Sequence, residues 1–476
     1  MFIRKIKNWL GFTFLALSYS ACVPTLVSRT PAKILPTTFT AQKDSVSTAT
    51  INWKQYFTDP NLVALIDTAL HNNQELNITL QELEISRNEI RTRKGEYLPS
   101  VSLRAGGGVD KVSRYTNIGA MEATTEIEPG KEMPEPVTDM FVGAYANWEV
   151  DIWHKLRNAK KAAVNRYLAS IEGRNFMITN LIAEISNSYY ELLALDNQLE
   201  IVRQNIGIQT NALEVVRYQK QAAKVNELAV RRFEAEVLKT QSLQYDIQQQ
   251  IVETENRINF LVGRYPQPIV RNASAFSSLS PAALKTGAPL QLLENRPDIK
   301  QAELELAAAD LDVKVARANF YPSLGINAAV GLRGLNPGYF VKAPESLLYS
   351  LAGDLAAPLV NRNGIKATYY SANAKQIQAV YKYEQTVLKA FLEVINQQNR
   401  IENLGKSYDL KSQQVQALTE SITISNDLFR SARADYMEVL LTQREALESK
   451  FELIETKMQQ LNASVNMYQA LGGGWK

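Results

Sequence analysis

Few residues of this chain have the types and spacing that a catalytic or metal centre requires. The sequence contains one cysteine, Cys22, and two histidines, His71 and His154, which lie on different segments. A single cysteine allows neither an intramolecular disulfide nor a cysteine-based zinc site. The triple glycine 106–108 lies inside a strand pattern, which argues against a phosphate-binding loop. We therefore predict no catalytic, cofactor-binding or metal-binding residue; carboxylate pairs are the one catalytic arrangement that the sequence leaves open.

The first residues have the pattern of a secretory leader. "MFIRKIKNWLGFTFLALSYSAC" has a basic start, an apolar run from Trp9 to Leu17, and small residues before Cys22. This pattern predicts a signal peptide at residues 1–21, too short to be a membrane-spanning helix. Its removal takes away three basic residues and leaves 49 basic and 49 acidic ones. The mature chain is then close to neutral, so a nucleic-acid partner loses its main support.

Cys22 has a chemistry of its own, because a cysteine directly after a signal peptide can become a lipidated N-terminus. The match to a bacterial lipoprotein site is imperfect, since Tyr19 occupies the position where Leu is usual. We predict lipidation of Cys22, palmitate being one such acyl chain, which would anchor the protein to a membrane without spanning it. Ordinary signal cleavage nearby, with Cys22 incidental, is the alternative.

Long helices dominate the pattern. Residues 61–96 repeat apolar side chains with helical spacing, and residues 154–262 contain no proline. We expect a break near Tyr218 to Leu228, where the apolar stripe loses register, and another long helix from Ile365 to Arg430. At 1.5 Å per residue the longest helices would reach about 100 Å. Such helices must pack side by side in a bundle, a coiled coil or a helical cylinder.

Four stretches alternate apolar and polar residues with a period of two. They are predicted as strands at residues 100–112, 138–153, 323–334 and 346–360. Each is long enough to cross a bilayer at the usual tilt, with lipid on one face and water on the other. A half-buried sheet in a soluble protein has the same alternation.

The predicted leader and lipid anchor favour the membrane interpretation. The mature chain has no apolar run of about 18 residues, so a crossing would need strands in a closed barrel. Four strands are too few to close one, because the smallest common barrels have about eight. Several copies of the chain must then share one barrel.

The two halves of the chain repeat one order of elements. A shift of 223 residues aligns Pro99 with Pro322 and Asn72 with Asn295 without a gap. Each half then has a helix, a Pro-Ser junction, two strands, a very long helix and a further helix, which indicates internal duplication. Because proline disfavours continuation of a helix, we expect each strand to start at or just after Pro99 and Pro322.

Four stretches carry a resemblance to a known family. They are "NWKQYFTDPNLVALIDTALHNNQELNITLQELEISRNEI", "NWEVDIWHKLRNAKKAA", "ENRPDIKQAELELAAADLDVKVARANFYPSL" and "YQALGGGW". The chain resembles the TolC-like outer membrane efflux proteins, nearest the lipoprotein branch that serves resistance-nodulation-division pumps. The resemblance implies an α+β membrane protein in which a homotrimer shares a twelve-stranded β-barrel and extends a long α-helical barrel into the periplasm.

Each chain would contain two repeats and an equatorial region. The expected divisions are residues 1–21 (signal peptide), 22–60 (anchor and equatorial segment), 61–264 (first repeat), 265–294 (equatorial linker) and 295–476 (second repeat). The implied localisation is the outer membrane, with lipid, a periplasmic adaptor and an inner-membrane pump as partners.

The function that the resemblance implies is a passive exit duct for small molecules, without catalysis, gated at the periplasmic helix tips. Our gate candidates are Asn426, Asp427, Asp435 and Glu438, since an acidic residue becomes a ring of three in a trimer. A solvated helix-surface acid is the alternative for each. A periplasmic coiled-coil scaffold or adaptor without a pore is the alternative function, but it does not explain paired strands.

Three positions depart from the family pattern. Gln221 and Ala432 stand at the helical turns where the family often has Gly, and His154 stands where Gly is common between the second strand and the long helix. The conformation of the tips is the feature that these departures affect.

Overall fold

The computed structural model describes residues 23–27, 29–31, 36, 38–39, 47–281, 285–360, 362–431 and 433–475. The predicted signal peptide at residues 1–21, the predicted lipidation site Cys22 and Ala432, at one of the helical turns, lie outside these residues. The described part of the chain forms two units. The sheet unit comprises the described residues within Met1–Thr30, Glu84–Leu168 and Leu304–Tyr381, and the helix unit comprises those within Pro31–Leu83, Ala169–Glu303 and Lys382–Lys476.

Long helices account for most of the described chain. In chain order the helices are α1 (Trp53–Tyr56), α2 (Pro60–Asn72), α3 (Gln74–Tyr97), α4 (Asn117–Glu122), α5 (Lys155–Gln221), α6 (Glu227–Val262), α7 (Gln291–Asn295), α8 (Pro297–Ala318), α9 (Pro337–Phe340), α10 (Asn363–Arg430) and α11 (Tyr436–Ala470). Two 3₁₀ helices lie at Thr48–Thr50 and Ala273–Ser278. Among the described residues, none of these helices is both long and apolar enough to cross a membrane.

The strands lie in the sheet unit. They are β1 (Ser100–Asp110), β2 (Glu126–Glu128), β3 (Lys131–Glu132), β4 (Val137–Val150), β5 (Ser323–Gly334) and β6 (Leu347–Ala356). In the described chain β1, β4, β5 and β6 form an antiparallel sheet in that order, and β2 and β3 form a separate hairpin. The prediction had 100–112, 138–153, 323–334 and 346–360, so the ends of three strands differ by a few residues.

The loops between the strands carry more structure than the sequence indicated. Helix α4 and the β2–β3 hairpin lie between β1 and β4, and helix α9 lies between β5 and β6. An ion pair between Glu128 and Lys342, at 2.5 Å, joins the hairpin to the second loop. Both loops therefore contain short ordered elements rather than plain connections.

The structure divides the helix that was expected at residues 61–96. Helix α2 ends at Asn72 and α3 begins at Gln74, because Asn73 adopts an extended backbone. The Asn73 side chain accepts a hydrogen bond of 2.9 Å from the backbone N–H of Leu76 and donates one of 2.8 Å to the carbonyl of Leu261. These bonds satisfy groups that a helix end otherwise leaves without partners.

The second half breaks at the matching place. Helix α7 ends at Asn295 and α8 begins at Pro297, with Arg296 extended between them. Arg296 donates to the carbonyl of Ala470, the last residue of α11, as Asn73 donates to Leu261 near the end of α6. The two breaks fall 223 residues apart, which is the shift that aligns the two halves of the sequence.

Glycines allow the close packing at both breaks. Gly263 and Gly472 have φ of 76° and 88°, in the left-handed region that favours glycine. A Cβ at Gly263 would lie 2.4 Å from the carbonyl oxygen of Asn72, and one at Gly472 would lie 2.7 Å from that of Asn295. Each glycine thus ends a long helix directly against a helix break.

The helix unit has an aromatic core near the end of the chain. Tyr56 stacks on Tyr468 with ring centroids 4.1 Å apart, and the Tyr468 hydroxyl donates to the carbonyl of Ile51 at 2.6 Å. Burial raises the pKa of Tyr468 to about 12, so its hydroxyl stays protonated at neutral pH. The indole of Trp475 donates to the carbonyl of Asn295 at 3.1 Å. The C-terminal residues are therefore part of this core.

Candidate functional site

The strand register gathers most of the polar side chains of the sheet on one face. Ser100 lies level with Asn147, Asn327 and Ala352 in the neighbouring strands. Even-numbered residues of β1 and β6 therefore share a face with odd-numbered residues of β4 and β5. The polar face carries Ser100, Ser102, Arg104, Asp110, Asp139, Tyr145, Asn147, Glu149, Asn327, Arg333, Ser350 and Asp354. Phe141 and Leu348 are its larger apolar members. Such a face suits contact with water.

The opposite face is apolar and open. It carries Val101, Leu103, Met140, Val142, Trp148, Ile326, Val330, Leu332, Tyr349 and Leu351. Leu103, Tyr349 and Leu351 are 83%, 81% and 79% exposed, more than a water-facing surface tolerates for so many large apolar residues together. An apolar face opposite a polar one is the pattern of a strand between lipid and a water-filled lumen.

Ion pairs hold some of the charges on the polar face. Arg333 binds Asp139 through two hydrogen bonds of 2.8 and 2.6 Å. Lys155 pairs with Glu149 at the other end of β4. The guanidinium of Arg104 lies 5.1 Å from the centre of the Tyr145 ring. The sheet therefore presents fixed charges to the space that it faces.

Two glycines bring β4 and β5 into close contact on the polar face. Gly143 and Gly331 are paired in the register. A Cβ at Gly331 would lie 2.4 Å from the carbonyl oxygen of Val142 and 2.6 Å from the Cα of Gly143. No side chain fits there, so glycine is required at Gly331 by space rather than by backbone angle.

The helix-to-strand junctions lie where the sequence placed the prolines. Strand β1 starts at Ser100, directly after Pro99, and β5 starts at Ser323, directly after Pro322. Helix α3 ends at Tyr97 and α8 ends at Ala318. Both junctions therefore change from helix to strand within a few residues.

Two tryptophan side chains form hydrogen bonds to these junctions, and the sequence pattern does not indicate these contacts. The indole of Trp148 donates to the carbonyl of Tyr97 at 3.1 Å, and that of Trp153 donates to the carbonyl of Pro322 at 2.7 Å. Trp153 also stacks on Tyr321 with ring centroids 4.7 Å apart. Aromatic rings with a polar group are favoured at a lipid–water boundary. Tyr97 and Tyr321, just before each Pro-Ser, were the available signal.

The turn from β4 into α5 depends on Asp151. Its carboxylate accepts hydrogen bonds from the backbone N–H groups of Leu156 at 3.0 Å and Arg157 at 2.9 Å. His154, in the same turn, has φ of 61°. The position where the family commonly has Gly thus adopts a left-handed backbone, which costs a residue with a side chain about 1–2 kcal/mol.

The gate candidates lie around the turn between α10 and α11. Asn426 and Asp427 lie in the last turns of α10, Asp435 directly precedes α11, and Glu438 lies in its first turn. Asp427, Asp435 and Glu438 are exposed, and Asn426 is half-buried. One helix–turn–helix therefore carries all four candidates, with three carboxyl groups open to solvent.

A cavity of about 200 Å³ adjoins this turn. Asn426 lines it together with Asn211 of α5, Phe233 of α6 and Gln443 of α11. Asn426 is thus the candidate that faces the neighbouring helices, whereas Asp427 faces outward. The turn between α5 and α6 is closed by Ala223, whose φ is 56°.

The histidines are not brought into a metal site. The ring Nδ1 of His71 lies 2.7 Å from the carbonyl oxygen of Asp67, one turn earlier in α2. Within the described ranges, no group of three or more His, Cys, Asp or Glu side chains is placed to hold a metal ion.

Known proteins share this arrangement. The sequence model of a family described as "Outer membrane efflux protein" matches residues 65–264 and 288–473. The chain is 27% identical to the "Solvent efflux pump outer membrane protein SrpC" of Pseudomonas putida, over 90% of this chain and 89% of SrpC. It is 24% identical to the "Probable outer membrane lipoprotein SilC" of Salmonella typhimurium, over 94% of each chain.

A solved structure has the same fold. The MtrE outer membrane channel of Neisseria gonorrhoeae, in an open state, superposes with a TM-score of 0.81 at 23% identity. The match covers 96% of this chain and 99% of MtrE. The similarity extends through the sheet, the long helices and the segments between them.

Proposed function

Because the chain belongs to the outer membrane efflux protein family, we propose that three copies of it form one continuous exit duct. The chain is an outer membrane channel of a tripartite efflux system and extends into the periplasm. In the proposed assembly each copy contributes four strands to a twelve-stranded barrel. An inner-membrane pump supplies the energy and a periplasmic adaptor joins the pump to the duct.

The observation that supports a barrel shared between copies is the pair of open edges of the sheet. Strands β1 and β6 lie at its two ends, and each has a partner on one side only within the described residues. Lipid offers no hydrogen bonds to the free N–H and C=O groups of such edges, so a spanning sheet must close on itself. Four strands are too few, whereas three copies give twelve, within the usual range.

The long helices are proposed to continue the duct into the periplasm as a helical barrel. Residues 22–60, 265–294 and the C-terminal end would form the equatorial region, between repeats at 61–264 and 295–476. The matched helix breaks at Asn73 and Arg296 support an origin by duplication.

A lipid anchor at Cys22 is part of the proposal. Val23 and Leu26 pack against Ala316, Phe320 and Tyr369. Phe320 lies directly before the Tyr321–Pro322 junction, where the membrane boundary is expected. An acyl chain on Cys22 would therefore start close to the lipid surface, where it adds membrane affinity to that of the barrel.

Transport through the duct is proposed to be diffusion along a water-filled lumen. The polar face of the sheet would line it, so no catalytic step is needed. At the periplasmic tips, Asn426, Asp427, Asp435 and Glu438 would recur three times around the axis. Rings of carboxylates at a narrow place attract cations and select for them. Cargo selection would then rest with the pump, and ion preference with the tip.

Conductance of the purified full-length protein in a planar bilayer tests this function. We expect discrete current steps from the oligomer and none from the same protein after heat dissociation. A pore-free periplasmic scaffold or a secreted enzyme would give no steps in either sample. Absence of steps from an intact, membrane-inserted oligomer would therefore reject the duct.

A further inference from the structure

Two residues of opposite charge, Arg104 and Asp354, lie on the same face at the two open edges of the sheet. Arg104 lies in β1 and Asp354 lies in β6, both on the polar face and both exposed. Among the ion pairs of the described residues, Glu149 is held by Lys155 and Asp139 by Arg333, and neither Arg104 nor Asp354 takes part in one. Within the described chain, Arg104 is therefore a cation without an ionic partner on the β1 edge, which also carries Asp110 six residues further along, and Asp354 is an anion without an ionic partner on the β6 edge.

One chain cannot bring these two charges together. The sheet order places β4 and β5 between β1 and β6. Three strand spacings of about 4.8 Å separate the edges by about 14 Å, more than an ion pair spans. Any partner for Arg104 across its own edge must come from another copy.

The register shows how the next copy must be aligned. We call the residues paired across the sheet a row, and we take the direction of β1 as upward. In the row of Ser100, Asn147, Asn327 and Ala352, β1 begins, whereas β4 extends three residues below this row, and β5 and β6 extend four residues below it. Above this row, β1 and β4 extend ten residues, β5 seven and β6 five. From β1 through β4 and β5 to β6, the strand midpoint therefore moves downward by four and a half residues in total. This is one and a half residues for each step from one strand to its neighbour.

A fourth step reaches the β1 strand of the neighbouring copy. If each step again shifts the strand midpoint downward by one and a half residues, four steps place that strand six residues lower than the first β1. The displacement must be even, because an odd one would turn the polar side chains outward to the lipid. In the row through Arg104, the β6 residue is Leu348, and the residue six positions further along β6 is Asp354.

We propose that Arg104 of each copy forms an ion pair with Asp354 of the next copy. These ion pairs would lie at the three seams of the shared barrel, where β1 of one copy meets β6 of another. This inference rests on the proposed trimeric barrel and adds its register. It also makes the lumen wall neutral at that level, because each charge is paired.

Disulfide cross-linking of the full-length protein tests the register. The double variant Arg104→Cys/Asp354→Cys, oxidised in outer membranes, should give dimers and trimers that survive heating in detergent without reductant. Arg104→Cys/Ser350→Cys is the matched control, because Ser350 lies on the same face four residues along β6, about 13 Å away at 3.3 Å per residue. Each single-cysteine variant controls for Cys22. Cross-linking in the control pair but not in the test pair would overturn the proposed register.

Charge reversal tests the ion pair itself. Arg104→Asp and Asp354→Arg should each lower the temperature at which the detergent-resistant oligomer dissociates, because like charges then face each other at every seam. The double reversal Arg104→Asp/Asp354→Arg should restore much of the loss. A double variant no more stable than the weaker single variant would contradict the pairing.

Failure of the seam and failure of the duct have different signatures. If the unsubstituted protein conducts but the test pair does not cross-link, the seam proposal is wrong and the duct stands. If no pair of β1 and β6 cysteines cross-links and the unsubstituted protein gives no current steps, the shared barrel itself is rejected.

Discussion

The guanidinium of Arg296 donates a hydrogen bond of 2.8 Å to the backbone carbonyl of Ala470, the last residue of α11. The same side chain binds Asp298 through two hydrogen bonds and Glu393 through one of 2.8 Å, and it is almost wholly buried. Burial alone would lower the pKa of Arg296, but the carboxylates of Asp298 and Glu393 outweigh it and raise that pKa. The charge therefore persists in the core and joins three segments of the helix unit.

Replacing Arg296 by Met should destabilise the protein strongly. The substitution leaves the carboxylates of Asp298 and Glu393 without their cation, and loss of one partner of a buried pair costs on the order of 3 kcal/mol or more. Thermal unfolding followed by circular dichroism measures the effect. Arg87→Met is the control, since Arg87 is exposed and forms an exposed ion pair with Glu84 at 3.3 Å. Equal melting temperatures for the two variants would contradict the assigned role.

Asn73→Ala should cost about 1–2 kcal/mol of stability. It removes the helix cap on Leu76 and leaves the carbonyl of Leu261 without its donor. The comparison is Asn77→Ala, one turn later on the exposed surface of α3. Unfolding in denaturant should shift to lower concentration for the first variant only. A shift of the same size for both would assign the effect to helix propensity instead.

Gly331→Ala should weaken the sheet. The added methyl group would meet the backbone of Val142 and Gly143 at under 3 Å, and forced overpacking costs about 1–3 kcal/mol. Gly108→Ala is a control on the same face, because nothing lies within 4 Å of a Cβ there. The dissociation temperature of the folded oligomer should fall for Gly331→Ala alone. An unchanged dissociation temperature for Gly331→Ala would contradict this prediction, because the two strands would then have moved apart without loss of stability.

His154→Gly should stabilise the turn between β4 and α5 by about 0.5 kcal/mol, because relief of the left-handed backbone outweighs the extra flexibility of glycine. His154→Val should act in the opposite direction, since a β-branched residue tolerates φ of 61° poorly. Melting temperatures of the two variants should lie on either side of the unsubstituted protein. A stabilising valine would contradict the strain.

Asp427→Asn should reduce the preference of the channel for cations. Three carboxylates at the tip would lose their charge while the side chains keep their size. Reversal potentials in a salt gradient measure the preference. Asp310→Asn, an exposed position on α8, controls for net charge. If both variants keep the ion preference of the unsubstituted protein, Asp427 is a solvated surface residue and not part of the gate.

The sheet could be predicted well because alternation is a local property of the sequence. Each strand shows its period of two, and Pro99 and Pro322 mark the helix ends by backbone chemistry that needs no partner. The pairing of β4 with β5 could not be predicted in this way. It joins residues that are far apart in the sequence, such as Gly143 and Gly331, which 188 residues separate.

The helix breaks show the same limit. Asn73 sits in a pattern that continues with helical spacing, and asparagine is compatible with a helix interior. Its conformation depends on the carbonyl of Leu261, far away in the chain. The proposed ion pair between Arg104 and Asp354 is harder still to predict from the sequence, because it needs the register of four strands and a second copy.

The open edges at β1 and β6 have a kinetic consequence. A lone chain can keep these edges solvated by water, but it cannot carry them into hydrocarbon. In the proposed shared barrel, association must therefore precede insertion or accompany it, and channel formation would be a reaction of more than one chain. Its initial rate should rise more steeply than in direct proportion to the concentration of newly exported protein, so dilute chains would wait in the periplasm as unassembled precursors.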